Sequence, residues 1–91
     1  MNEAKIALDY DCYSANVNGT KIYLGEKEFA VFEVLLRSRG RCVSKDRVMR
    51  YADIKAPAAK YIQLLRKKLG ADCIRTIYKR GYTIPLEPHA Q

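Results

Sequence analysis

A chain of 91 residues, 48% of them hydrophobic, holds enough apolar material for one modest core and not for two, so one domain over 1–91 is expected. No run approaches the roughly 20 apolar residues of a membrane helix, and the N-terminus MNEAKIALDY lacks the apolar centre of a secretory signal, which makes the cytoplasm the expected compartment. The formal net charge of +7 points to a polyanionic partner, and its distribution is uneven: 3 basic and 6 acidic residues lie up to Leu36, against 14 and 4 from Arg37 onward.

From Lys5 to Tyr10 the residues Ile6, Leu8 and Tyr10 alternate with Ala7 and Asp9, the two-residue period of a half-buried strand. A second strand is expected through Tyr13 to Val17. Asn18-Gly19 then supplies the positive φ angles of a tight hairpin turn, and Ile22 and Leu24 resume the alternation. Residues 5–24 therefore read as a small antiparallel sheet.

The period changes at Glu26 to Arg37, where Phe29, Phe32, Leu35 and Leu36 recur at helical spacing and Glu26 and Glu28 occupy a first turn that favours anions. Gly40 is expected to end this helix. Arg41 to Val43 is a short extended link, Ser44 is a good N-cap, and Val43 can staple onto Val48 across it. The second helix turns Val48, Met49 and Ala52 inward. Pro57 suits the first turn of a third helix and Gly70 its end, with Arg66, Lys67 and Lys68 in the last turn. Ala58, Ile62, Leu65 and Leu69 form its inward stripe, which leaves Ala59, Lys60, Gln63, Arg66 and Lys67 outward. The three helices fill 26–69.

Cys73 to Tyr78 and Tyr82 to Leu86 are β-rich and separated by Lys79-Arg80-Gly81, so 73–86 reads as a hairpin with two adjacent cations at its tip. A polar tail, 87–91, follows. The cysteines Cys12, Cys42 and Cys73 are odd in number and about 30 residues apart, with no C-x-x-C and the single histidine His89. They are expected to be reduced, mostly buried thiols and not metal ligands. With no Gly-rich phosphate loop and no paired carboxylates at a cleft, neither catalysis, cofactor nor metal is expected.

Sheet, helix, link, helix, loop, helix and hairpin form an α+β order, a winged helix-turn-helix with an N-terminal antiparallel sheet, three helices and a C-terminal β-hairpin wing. The stretches VNGTKIYLGEKEFAVFEVLLRSRGRCVSKDRV, YIQLLRKKLG and IRTIYKRGYTI resemble the C-terminal effector domain of the OmpR/PhoB class of response regulators, from about Lys5 to Leu86. The resemblance implies a regulator that binds double-stranded DNA, with the recognition helix, 57–69, in the major groove, the wing tip, 79–81, at a neighbouring minor groove, and the sheet behind the helices as a platform. The charge distribution agrees with that assignment.

On the third helix Lys60 and Gln63 are best placed for base edges, since Gln pairs bidentately with adenine and Lys donates to guanine acceptors. Tyr61, Arg66 and Lys67 suit phosphates or the helix flanks. On the wing, Lys79 and Arg80 suit a narrow, electronegative minor groove. Thr76 and Tyr82 match family positions near the DNA backbone, with strand packing the alternative for Tyr82. Ser44, Lys45 and Arg47 open the second helix, where free N–H groups and added cations can grip a phosphate; capping alone is the alternative for Ser44. For any single exposed cation the competing reading is an ordinary solvated face.

Family members carry a receiver domain ahead of this module, whereas here Met1 leads almost directly into the first strand and EPHAQ closes the chain. A naturally short regulator is the expectation, with an effector domain cut from a longer regulator as the alternative. The loop Asp53-Ile54-Lys55-Ala56 is several residues shorter than the family's polymerase-contacting loop, Ala58, Ala59 and Lys60 replace its usual early recognition-helix residues, and Tyr78 stands where its wing arginine is usual. The resemblance also implies head-to-tail pairing on direct repeats. A second reading from another class is a winged-helix module that binds RNA polymerase or another regulator, because fold alone does not settle function.

Overall fold

The computed structural model describes residues 5–85. The end of the expected wing at Leu86, the tail 87–91 and His89 lie outside the described residues.

Strands β1 (Ile6–Asp9), β2 (Ser14–Val17) and β3 (Thr20–Tyr23) form an antiparallel sheet in the order β1-β2-β3. Leu8 lies opposite Ala15 and Ala15 opposite Ile22, while Ile6 faces Val17. Cross-strand partners share a face, so this register gathers Ile6, Leu8, Ala15, Val17 and Ile22 on the side that packs against the core. The β2–β3 connection is the two-residue turn Asn18-Gly19, with φ of 52° and 90°, the left-handed pair a tight hairpin needs.

Helix α1 (Glu26–Arg37) follows at once. Its entry is held by the Gly25 N–H, which donates to Glu28 Oε1 at 3.0 Å. Besides the expected Phe29, Phe32 and Leu35, the residues Val31 and Val34 are buried, because the helix is enclosed by the sheet on one side and the other two helices on the other. The Tyr10 and Tyr13 rings each sit 5.3 Å from the Phe29 ring and fasten the sheet to α1. The helix ends at Arg37, earlier than Gly40, whose φ of 86° instead turns the chain and whose N–H donates to Ile84 O at 2.9 Å.

Helix α2 (Lys45–Ala52) is capped by Ser44 Oγ, which accepts from the Arg47 N–H at 3.2 Å. Val43 and Val48 are buried on either side of that cap, the hydrophobic staple expected there. At the far end Asp53 adopts φ 54°, and Lys27 Nζ donates to the carbonyls of Ala52 and Asp53 at 3.2 and 3.1 Å. Helix α3 (Ala58–Leu69) has Pro57 as its N-cap, one residue outside the expected start, and Gly70 at φ 111° as its C-cap. Ala58, Ile62 and Leu65 are buried, and Leu69 packs half-buried against them.

Strands β4 (Arg75–Ile77) and β5 (Gly81–Thr83) form the hairpin, with Ile77 opposite Gly81. The loop is therefore Tyr78-Lys79-Arg80, one residue earlier than the sequence implies. Gly81 belongs to β5, where its missing Cβ admits the Val43 backbone. Val43 and Tyr82 exchange N–H···O bonds of 2.8 and 2.9 Å, so the link between α1 and α2 acts as a third strand and anchors the wing.

The expectation of mostly buried thiols is overturned. Cys12 and Cys42 are exposed and Cys73 is half-buried; all three are free. Cys12 lies in the turn between β1 and β2, and Cys42 points away from the core because its neighbour Val43 points in. Among the described residues no helix is long and apolar enough to cross a membrane, and no cluster of metal-ligating side chains occurs.

Candidate nucleic-acid interface

Three elements with different local logic supply the site. The first is the start of α2. Its opening N–H groups lack intrahelical partners, Ser44 Oγ takes one of them, and Lys45 and Arg47 are exposed on the first turn. The Val43–Tyr82 pairing holds this helix start against the wing, so Ser44 and Lys45 share an open groove with Thr76, Lys79, Arg80 and Tyr82.

The second element is the outward face of α3. Lys60, Gln63 and Lys67 are exposed there, as is Ala59. Lys60 Nζ lies 5.6 Å from the centroid of the Tyr61 ring, within cation–π range, and the ring itself is half-buried on the core. Tyr61 thus contributes as a packed flank residue that also supports a cation.

Arg66 departs from the outward orientation. Its Nε and Nη2 donate to Ile74 O at 3.2 and 2.9 Å, and Nη2 also donates to Thr76 Oγ1 at 2.8 Å. The planar fork matches two acceptors held in fixed positions. Helical periodicity fixes the side of the helix from which the residue leaves, not the reach of its guanidinium back to a strand. The helix is also tied at its last turn, where Lys68 Nζ meets Glu28 Oε1 at 2.7 Å. Burial pushes the Glu28 carboxyl up, but the Lys68 ammonium and the Gly25 N–H outweigh it and hold the group below its usual value.

The third element is the wing tip. Lys79 takes φ 59° and Arg80 N–H donates to Ile77 O at 2.9 Å, which closes the loop and leaves both side chains exposed. Tyr78 is 81% exposed, with Lys79 Nζ 5.5 Å from its ring centroid. Tyr82 is half-buried, with its backbone on Val43 and its side chain lining the groove. Thr76 is exposed, but its hydroxyl already accepts from Arg66.

A second depression joins the start of α3 to the same surface: Lys45, Asp46, Lys55, Pro57, Ala59 and Tyr82 line it. Lys45 and Tyr82 therefore stand between the wing side and the recognition-helix side. Lys55 was not singled out by its sequence context. The short loop that brings it beside the α3 start was the available signal. Two acidic residues of α1 are engaged elsewhere, Glu28 against Lys68 and Glu33 against Tyr10 and Arg37.

Residues 19–84 match the family model described as "Transcriptional regulatory protein, C terminal". The chain belongs to this family. Its OmpR/PhoB-type winged helix is what the sequence motifs resemble, and its members are transcription-regulator domains, not an enzyme class. Over 88 residues the chain is 31% identical to response regulator RR06 of Streptococcus pneumoniae, an alignment covering 89% of this chain and 41% of that protein. The chain thus spans about two fifths of the length of that curated relative. In fold it is similar to the DNA-binding domain of CpxR from E. coli, with a TM-score of 0.78 at 20% identity over 96% of both chains. It is also similar to the Klebsiella pneumoniae RstA DNA-binding domain solved in complex with the RstA box, with a TM-score of 0.74 at 20% identity over 98% of this chain and 97% of that one.

Proposed function

We propose that the chain is a sequence-specific, double-stranded DNA-binding module of a transcription regulator, with α3 in the major groove and the tip around 79–81 at an adjoining minor groove. The observation that carries this reading is the joining of the α3 start, the α2 start and the wing tip along one continuous surface, from Ala59 past Lys45, Asp46 and Tyr82 to Lys79 and Arg80. Lys60 and Gln63 face base edges, Lys67, Lys45, Arg47 and the α2 N–H groups hold phosphates, and Thr76 and Tyr82 line the path between them. Arg66 serves by setting the wing against the helix. This function places the protein in the cytoplasm, on the nucleoid when bound, and pairing of two copies head to tail on repeated half-sites belongs to the same reading.

The test is a duplex-binding titration across salt concentrations. With about 6 phosphates engaged, log affinity falls against log salt with a slope of about −5. A nearly flat response would refute the proposal.

One feature favours a second reading, a module that docks on RNA polymerase or another regulator. Tyr10 and Tyr23 are 56% and 62% exposed on the sheet side, and exposed tyrosines are enriched at protein interfaces. Under that reading alone, replacing the wing cations leaves duplex affinity unaffected.

A further inference from the structure

We infer that α3 reads A·T pairs, with Gln63 as the residue that sets the preference and Ala59 as its neighbour on a thymine methyl. The inference rests on the proposal that α3 enters the major groove.

Only a few side chains of α3 face a duplex in that arrangement. Ala59 and Arg66 lie on the wing side of the outward face, Lys60 and Lys67 lie on the other, and Gln63 falls between them. The common bidentate reader of guanine is arginine. Arg66 is the one arginine of α3, and its fork is held by Ile74 O and Thr76 Oγ1. Lys60 can reach a base edge beside Gln63 but, like Lys67, carries a compact charge on a flexible stem with no planar pair of groups to match one base, and its ammonium lies 5.6 Å from the Tyr61 ring centroid. That leaves the Gln63 carboxamide, exposed and without a hydrogen-bond partner among the described residues.

A carboxamide offers one donor group and one acceptor in a plane, which complements adenine N7 and N6–H₂ in the major groove. Ala59 precedes it by one turn, about 6 Å along the axis, which is under two base-pair steps of about 3.4 Å. An exposed methyl group there contacts a thymine methyl and offers nothing to the polar edge of a G·C pair. The wing fits the same composition, because narrow minor grooves that draw in a side chain such as Arg80 are a property of A-tracts.

The experiment is selection of bound duplexes from a random pool at physiological salt, using the chain itself and its Gln63→Ala and Gln63→Arg forms, each checked for an unchanged melting temperature. The unaltered chain should enrich A·T at two or more positions within one major-groove face. Gln63→Ala should lose about 5- to 150-fold of its discrimination at the adenine position, and Gln63→Arg should move that position to guanine. Enrichment of G·C across the core overturns the inference, as does an adenine preference that survives Gln63→Ala, and in both cases the DNA-binding reading stands. Failure to retain any duplex even at low salt overturns both.

Discussion

At Gly81 a β-carbon would stand 2.0 Å from Val43 O, on a residue whose φ is 145°. Both the contact and the dihedral exclude other residues, because the Val43 backbone closes on β5 at that point. Gly81→Ala should cost about 3 kcal/mol, at the upper end for a single strained site, and chemical denaturation reads it as a lower midpoint. The cysteines separate along similar lines of position. Burial pushes the Cys73 thiol up to about 11, whereas Cys12 and Cys42 are exposed. At pH 8 a thiol reagent should modify Cys12 and Cys42 quickly and Cys73 slowly, since the thiolate is the reactive form; mass spectrometry of the partly labelled chain checks the order.

Among the elements, α1 orders the recognition helix through Glu28. One carboxylate accepts from the Gly25 N–H at the start of α1 and from Lys68 at the end of α3, so the two helices share a fastening that neither periodicity nor capping alone provides. Its folded-state pKa lies below the ordinary 4.5. The stabilisation is therefore present above that value and lost as pH falls through the depressed one. Glu28→Gln should lower stability by about 1–3 kcal/mol at pH 7, with the gap from the unaltered chain narrowing as acid protonates the Glu28 carboxyl. Urea midpoints at pH 7 and pH 3 give both numbers. Glu33, which is also held below its usual value by Tyr10, Tyr51 and Arg37 against its own burial, acts in the same direction, so the unaltered chain itself weakens in acid.

The whole molecule keeps its charge asymmetry after folding. The N-terminal sheet and α1 carry the acidic excess, whereas Lys45, Lys55, Lys79 and Arg80 line the two joined depressions together with Asp46, and Lys60 and Lys67 are exposed on α3. Replacing Lys79 and Arg80 together by Ala should lower duplex affinity by at least several-fold and make the salt slope shallower by about 1 to 2. Replacing Lys5 and Lys21 on the sheet should leave both within error, as fluorescence anisotropy at two salt concentrations would show. A uniform loss in both pairs would mean that net charge, and not this surface, attracts the duplex.

Much of the fold is legible in the amino-acid order alone, because each signal is local. The spacing of Phe29, Phe32 and Leu35 with acids in the first turn marks α1, Asn18-Gly19 marks the β2–β3 hairpin, and Ser44 marks the start of α2. Such features depend on a residue and neighbours a few positions away, which fix backbone angles and one buried face. The remaining features involve partners far apart in sequence. Arg66 turns to a strand, Gly81 yields space to Val43, and Cys42 is exposed because Val43 is not. Those outcomes follow from which surfaces pack together, and a long side chain has several reachable partners until packing leaves it one.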